Sequence, residues 1–195
     1  MKYRVNEIFN SLQGEGFHAG VNCTFIRMSG CNLSCPFCDT AHQRGVMMTS
    51  AEILEECGKY KTRTVILTGG EPTLKPIGEL VVALHMKGYY VCMETNGTRQ
   101  VPVNVDWVTC SPKFQYCEGA QVVTSRIDEL KVLFAADGYD YEKYLEIKAD
   151  RYYLQPLDTG NQTKNDEIIA ELIEYIQQHP IWRLSLQTQK IIGIR

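Results

Sequence analysis

The chain has 195 residues, 44% hydrophobic and 22% charged, enough to bury one substantial core and unlike a disordered or fibrous chain, so a single domain over residues 1–195 is expected. A formal charge of -3 offers no basic footprint for a phosphate backbone, which argues against nucleic acid as a partner. No apolar run approaches the roughly 20 residues that span a bilayer, and MKYRVNEIFN lacks the apolar segment of a signal peptide, so a cytoplasmic protein with no membrane partner is expected.

Short apolar, β-rich runs alternate with amphipathic helical stretches along the chain. Strands are expected over residues 23–28, 64–69, 89–95, 107–111, 129–134, 151–156 and 183–187. Helices are expected between them. The first covers residues 49–59, opened by a Thr49/Glu52 capping box and ended near Gly58. The second covers residues 76–87, from Pro76 to the stop at Gly88. A shorter one covers residues 141–148, and the last covers residues 166–178, with Asn165 as N-cap and Pro180 beyond its end.

A run of βα units predicts right-handed crossovers and a mostly parallel sheet, α/β in class. A full eight-unit barrel takes about 250 residues, so a truncated TIM-like barrel is expected, with an open doubly wound sheet as its alternative. The polar and glycine-rich segments after the strands, TGGEP, ETNGT, CSPK and LQPLD, would then gather at one rim with the active site.

Eight cysteines in a chain with no export signal point to metal or redox chemistry rather than a disulfide framework. Cys31, Cys35 and Cys38 form C-x3-C-x2-C, while Cys23, Cys57, Cys92, Cys110 and Cys117 are scattered, mostly in apolar contexts that suit buried thiols. Three thiolates suit zinc or an iron-sulfur cluster. Spacing alone leaves both open, because His42 could complete a Cys3His zinc site bracing a binding module. An iron-sulfur cluster held by three cysteines instead leaves one iron open for chemistry.

Met47 and Met48 are expected to fill a gap beside this loop, and YDYEKY to form a half-buried helix face. His18, His85 and His179 have no recognisable partner pattern. In TGGEP, the paired glycines allow close backbone approach by a ligand directly after a strand.

C-x3-C-x2-C, with Phe37 before its last cysteine and TGGEP after the next strand, resembles the radical S-adenosylmethionine superfamily. The opening segment NSLQGEGFHAGVNCTFIRMSGCNLSCPFCDT, together with SPK, LQPLD and LSLQTQKIIGIR, is similar to the 7-carboxy-7-deazaguanine synthase family over essentially the whole chain. A glycyl-radical activating enzyme shares the cysteine spacing but not LQGEG or the C-terminal pattern.

The resemblance implies a lyase of queuosine and 7-deazapurine biosynthesis. It would convert 6-carboxy-5,6,7,8-tetrahydropterin to 7-carboxy-7-deazaguanine and release ammonia, through a 5'-deoxyadenosyl radical that takes hydrogen from substrate C6. It further implies a [4Fe-4S] cluster on Cys31, Cys35 and Cys38, S-adenosylmethionine, Mg2+, a reductant such as flavodoxin or ferredoxin, and a homodimer.

Residue by residue, the resemblance places Leu12, Gln13, Gly14 and Glu15 along the pterin, with Arg27 on its carboxylate and Thr68 as a further contact. A carboxylate at Glu15 suits the guanidine-like edge of a pterin, although alone it would be a solvated loop acid. An arginine in an apolar strand needs a salt bridge or an anionic ligand in any case. Thr40 would ligate Mg2+, and otherwise would cap a turn.

Gly70, Ser111, Pro112, Lys113, Gln155, Pro156, Leu157 and Asp158 would meet S-adenosylmethionine, and the terminal carboxylate of Arg195 would meet the substrate. Glu94 and Asn96 are expected at the same rim. The family commonly has His in a QTHK segment where this chain has Gln189, and glutamine cannot titrate near neutrality.

Overall fold

The structure is a computed structural model and describes residues 1–194. Strand β1 (Lys2–Leu12) opens the chain, followed by β2 (Asn22–Met28), β3 (Val46–Thr49), helix α1 (Ser50–Cys57), β4 (Thr64–Gly69), α2 (Gly78–Met86) and β5 (Tyr90–Thr95). Then come β6 (Trp107–Cys110), β7 (Glu129–Phe134), β8 (Arg151–Pro156), α3 (Gln162–Gln178), β9 (Arg183–Leu184) and α4 (Thr188–Ile191). The strands of the described residues make one sheet in the order β3-β1-β2-β4-β5-β6-β7-β8-β9. From β2 to β9 all pairings are parallel, whereas β1 runs antiparallel to both β2 and β3. The sheet does not close on itself, and α1, α2 and α3 all pack on its outward face, as in the truncated barrel rather than in a doubly wound sheet.

Side chains along a strand alternate between its two faces, and here the alternation divides the chemistry. Ile26 and Met28, Val65 and Leu67, Val91 and Met93, and Val108 point outward into a core shared with Ile53 of α1 and Leu80 and Leu84 of α2. Farther along, Leu130, Val132, Phe134 and Leu154 pack with Ile168 and Leu172 of α3 and with Trp182. The intervening residues point to the concave side. Phe25, Ile66 and Cys92, with Phe9, Cys23 and Trp107, make its apolar floor. One step further along the strands, Arg27, Thr68, Glu94 and Thr109 line a cavity.

Several local expectations are corrected. β1 lies where no element was expected, and its alternating burial is broken by a register shift between Val5 and Glu7. Met47 and Met48 do not fill a gap beside the cysteine loop. They belong to β3, paired with Arg4 and Tyr3 of β1, with Met47 largely exposed.

α1 carries the expected capping box, with Thr49 and Glu52 bonding reciprocally. α2 starts at Gly78 rather than near Pro76. Residues Tyr141–Glu146 wind as a 3-10 helix with Tyr141 and Tyr144 buried and Glu142 and Lys143 exposed, the half-buried face expected of YDYEKY. α3 starts four residues early, because Asn161 caps it by accepting from Lys164 N. Asn165 instead accepts from the backbone and hydroxyl of Thr159 at 2.9 and 2.7 Å.

Candidate active site

The concave face encloses a cavity of about 950 Å³. Leu12, Gln13, Gly14, Glu15, Arg27, Cys31, Cys35, Cys38, Thr40, Thr68, Gly70, Ser111, Lys113, Gln155, Leu157 and Asp158 all line it. Pro112 is buried and Pro156 half-buried beside it; neither lines the wall. Arg195 lies outside the described residues.

One wall is built of two carboxylates, Glu94 held by neutral donors and Glu15 by an ammonium and two amides. Glu94 accepts from Gln13 Nε2 at 2.9 Å through one oxygen and from Thr68 Oγ1 at 2.6 Å through the other. Glu15 is more enclosed. Lys131 Nζ bonds its Oε2, while Gln187 Nε2 and Gln189 Nε2 donate to Oε1 at 2.9 and 3.0 Å. Burial alone would raise the Glu15 pKa. The Lys131 ammonium and the two amides outweigh it, holding the group at about 2. The same partnership raises Lys131 against its own desolvation, so both members stay charged.

The C-terminal segment is pinned over this wall. Thr188 donates to Gly14 O from its backbone and its hydroxyl, at 3.1 and 2.7 Å. Ser185 Oγ accepts from Gly16 N at 3.0 Å and donates to Gln155 at 2.9 Å. Gly14 is required here, since a Cβ would lie 2.8 Å from the backbone N of Gln189 as well as 1.7 Å from its Oε1. A polar staple between the loop after β1 and the segment after β9 thus spans the gap that the sheet leaves open.

Arg27 is paired, as its place in an apolar strand required. Its Nε donates to Glu7 at 2.8 Å and its guanidinium lies 5.6 Å from the Phe9 ring centroid, facing the cavity. Lys113 donates to the backbone and hydroxyl oxygens of Ser111 at 2.7 and 2.6 Å, and burial lowers its pKa. Asp158 accepts from Lys190 at 2.7 Å, and from Gly160 N and Asn165, which hold its carboxyl well below the usual carboxylate range.

The cysteine loop leaves β2 and packs on TGGEP. Gly70 N and Glu71 N donate to Met28 O and Gly30 O at 3.1 and 2.8 Å. Glu71 is buried and bonded throughout: Oε1 accepts from Thr73 N and Oγ1 and from Thr95 Oγ1, and Oε2 from Asn96 N at 2.8 Å. It ties the loop after β4 to the loop after β5. A Glu71→Gln substitution turns an amide N–H toward donors that the carboxylate satisfies. It is expected to lower stability by about 2 kcal/mol, seen as an earlier urea midpoint; an unchanged midpoint would refute this role.

The three cysteines fit a cluster better than a single ion. Among the described residues no three His, Cys, Asp or Glu side chains converge on one metal-sized point, as a Cys3His zinc site would require. A cubane differs, since each cysteine binds a separate iron and the thiols need only ring it. His42 shares the wall, but its backbone carries its visible bonding, to Thr40 O and from Gly30 N.

Sequence reasoning missed Lys131, Gln187 and Lys190, and left Glu94 without a role. Glu129 and Lys131 did leave a signal, two opposite charges inside the otherwise apolar ELKVLF strand.

Comparison with known proteins agrees with this geometry. The Radical SAM superfamily model matches residues 25–108. The 7-carboxy-7-deazaguanine synthase of Bacteroides thetaiotaomicron is 49% identical over 195 residues, covering all of both chains. The enzyme of the same name from Caulobacter vibrioides is 37% identical over 216 aligned residues, again covering both completely. The crystal structure of QueE from Escherichia coli matches with a TM-score of 0.76 at 29% identity, over 95% of this chain and 94% of that one. With the cysteine loop, TGGEP and the carboxylate wall on one cavity, these full-length similarities show that the chain belongs to the 7-carboxy-7-deazaguanine synthase family, radical S-adenosylmethionine lyases of 7-deazapurine biosynthesis.

Proposed function

We propose that this cavity takes 6-carboxy-5,6,7,8-tetrahydropterin and yields 7-carboxy-7-deazaguanine and ammonia. The observation that carries the proposal is the meeting, in one cavity, of three cluster-type cysteines, two partly buried carboxylates and an arginine. A reduced [4Fe-4S] cluster, when bound, supplies the electron that cleaves S-adenosylmethionine and so starts radical chemistry on the substrate.

The protein binds, orients and shields. Cys31, Cys35 and Cys38 hold the cluster, and Gly70, Ser111, Pro112, Lys113 and Gln155 to Asp158 form the S-adenosylmethionine surface. Arg27 takes the substrate carboxylate, pre-aimed by its Nε bond to Glu7. Gln13, Glu94 and Thr68 meet the pterin edge, beside Leu12 and Gly14. A carboxylate offers about four acceptor positions, of which Glu94 uses two and Glu15 three, so Glu94 is the better free acceptor for the guanidine-like edge. Thr40, beside Asp39 on the exposed end of the cysteine loop, is the proposed Mg2+ ligand. A flavodoxin or ferredoxin as reductant and a homodimeric assembly complete the proposal.

The test is an anaerobic assay of cluster-replete protein with S-adenosylmethionine, a reductant and 6-carboxytetrahydropterin. Formation of 7-carboxy-7-deazaguanine is the expected result, stimulated by Mg2+. Cluster-replete protein that cleaves S-adenosylmethionine yet forms no such product overturns the substrate assignment.

A further inference from the structure

Cys31, Cys35 and Cys38 line the cavity, and Cys23, Cys57, Cys92 and Cys110 are buried thiols in apolar packing. Cys117 fits neither group. It is only partly buried, in a turn where Tyr116 N and Cys117 N both donate to Lys113 O, at 2.9 and 2.8 Å. Its Sγ lies 3.6 Å from Cys35 Sγ, across 82 residues of sequence.

A second contact fixes the same two loops together. The Phe37 and Tyr116 rings meet edge to face, with centroids 4.7 Å apart. The other cysteines of the loop turn elsewhere. Cys31 Sγ accepts from Leu33 N at 3.4 Å, and Cys38 Sγ lies 3.7 Å from Thr40 O.

We propose that Cys35 and Cys117 form a reversible disulfide in the cluster-free protein, a modification site that keeps Cys35 recoverable under oxidation. A disulfide needs its sulfurs about 2.05 Å apart, so these two must close by roughly 1.5 Å. Both residues lie outside regular helix and strand, where such a movement breaks no ladder.

The oxidant is a hydroperoxide. Hydrogen peroxide oxidises one thiol to a sulfenic acid, the O–O bond breaking and one water leaving. The second sulfur then displaces the hydroxyl, forming the S–S bond and releasing a second water. Two thiols and one peroxide give one disulfide and two waters, and a dithiol reductant reverses the product. The linked Cys35 is protected from irreversible sulfinic oxidation and, on the proposal that it is a cluster ligand, blocks cluster assembly until reduced.

The test uses full-length, cluster-free protein treated anaerobically with one equivalent of hydrogen peroxide, alkylated, digested and mapped without reduction. The expected result is a Cys35–Cys117 peptide as the main crosslink, and iron-sulfide reconstitution that fails until dithiothreitol is added. Cys117→Ser should assemble a full cluster before oxidation. After a several-fold excess of peroxide, since sulfinic oxidation takes two peroxides per thiol, it should recover at least about fivefold less cluster absorbance with dithiothreitol than wild type treated alike, because Cys35 then over-oxidises. A main crosslink of Cys35 to Cys31 or Cys38, with Cys117 alkylated, overturns the proposal. A mapped Cys35–Cys117 link that leaves reconstitution intact overturns instead the assignment of Cys35 as a ligand.

Discussion

Replacing Lys131 with methionine is expected to lower stability by about 3–5 kcal/mol at neutral pH, because it leaves the Glu15 carboxylate buried without its countercharge. The Lys131 ammonium is enclosed almost completely and directed at Glu15, so no solvent cation can readily replace it. Glu15 would then be driven toward its protonated form. It could still accept from Gln187 and Gln189, but would no longer hold the charge that orders the cavity wall.

In the wild-type chain Glu15 stays charged down to about 2, against an ordinary 4.5. A depressed carboxylate contributes stability that is fully present above pH 4.5 and is lost as pH falls toward 2, a contribution on the order of 3 kcal/mol. Urea midpoints should therefore separate wild type from Lys131→Met widely at pH 7 and converge as pH falls from 4.5 toward 2. Adding Glu15→Gln to Lys131→Met should restore much of the loss, since neither member is then a lone buried charge. Equal midpoints for wild type and Lys131→Met at pH 7 would sink this account. Activity should follow, with substrate KM raised at least about tenfold as the Gln13–Glu94 side of the wall loosens.

The parallel strands were legible because nearly every one is a short run too apolar to have a wet face, as in TVILTG and YVCMET. β1 was not, since KYRVNEIFNSL mixes both characters and is interrupted by a register shift, so its period of two is lost midway. β3 was illegible for a different reason. Its four residues gain their structure from β1, a partner more than 40 residues upstream, and not from any pattern of their own.

The site divides along the same line. Cys31, Cys35, Cys38 and Gly70 stand in short motifs whose chemistry is local. Lys131 stands in a strand whose charges acquire meaning only when β7 faces the loop after β1, 116 residues away. Gln189 shows the converse. As a departure from the family's histidine it looked like a lost proton carrier, yet its amide serves as a neutral donor to Glu15, beside Gln187.

Gly70→Ala is expected to remove cluster binding and activity while leaving the sheet intact. A Cβ on residue 70 would lie 1.8 Å from Gly30 O, 2.5 Å from Gly30 C and 3.1 Å from Cys31 N. These are backbone atoms, so no rotamer change relieves the clash. Gly30 itself adopts a positive φ of 90°, and its carbonyl is bound by Glu71 N, which restricts how the loop can yield.

The lowest-cost relief is to move Gly30 and Cys31 away from TGGEP, because Gly70 is anchored through Met28 O to the end of β2 and Glu71 is locked by its four donors. That movement shifts the first cysteine of the triad relative to the other two. A displacement of about 1 Å costs on the order of 100-fold in a positioned reaction, and more where the ligand set itself is disturbed. Reconstituted Gly70→Ala should therefore show weak absorbance near 400 nm and little S-adenosylmethionine cleavage, with wild-type far-ultraviolet circular dichroism. Wild-type cluster content together with wild-type cleavage would show that the cysteine loop is not held in place by its contact with Gly70.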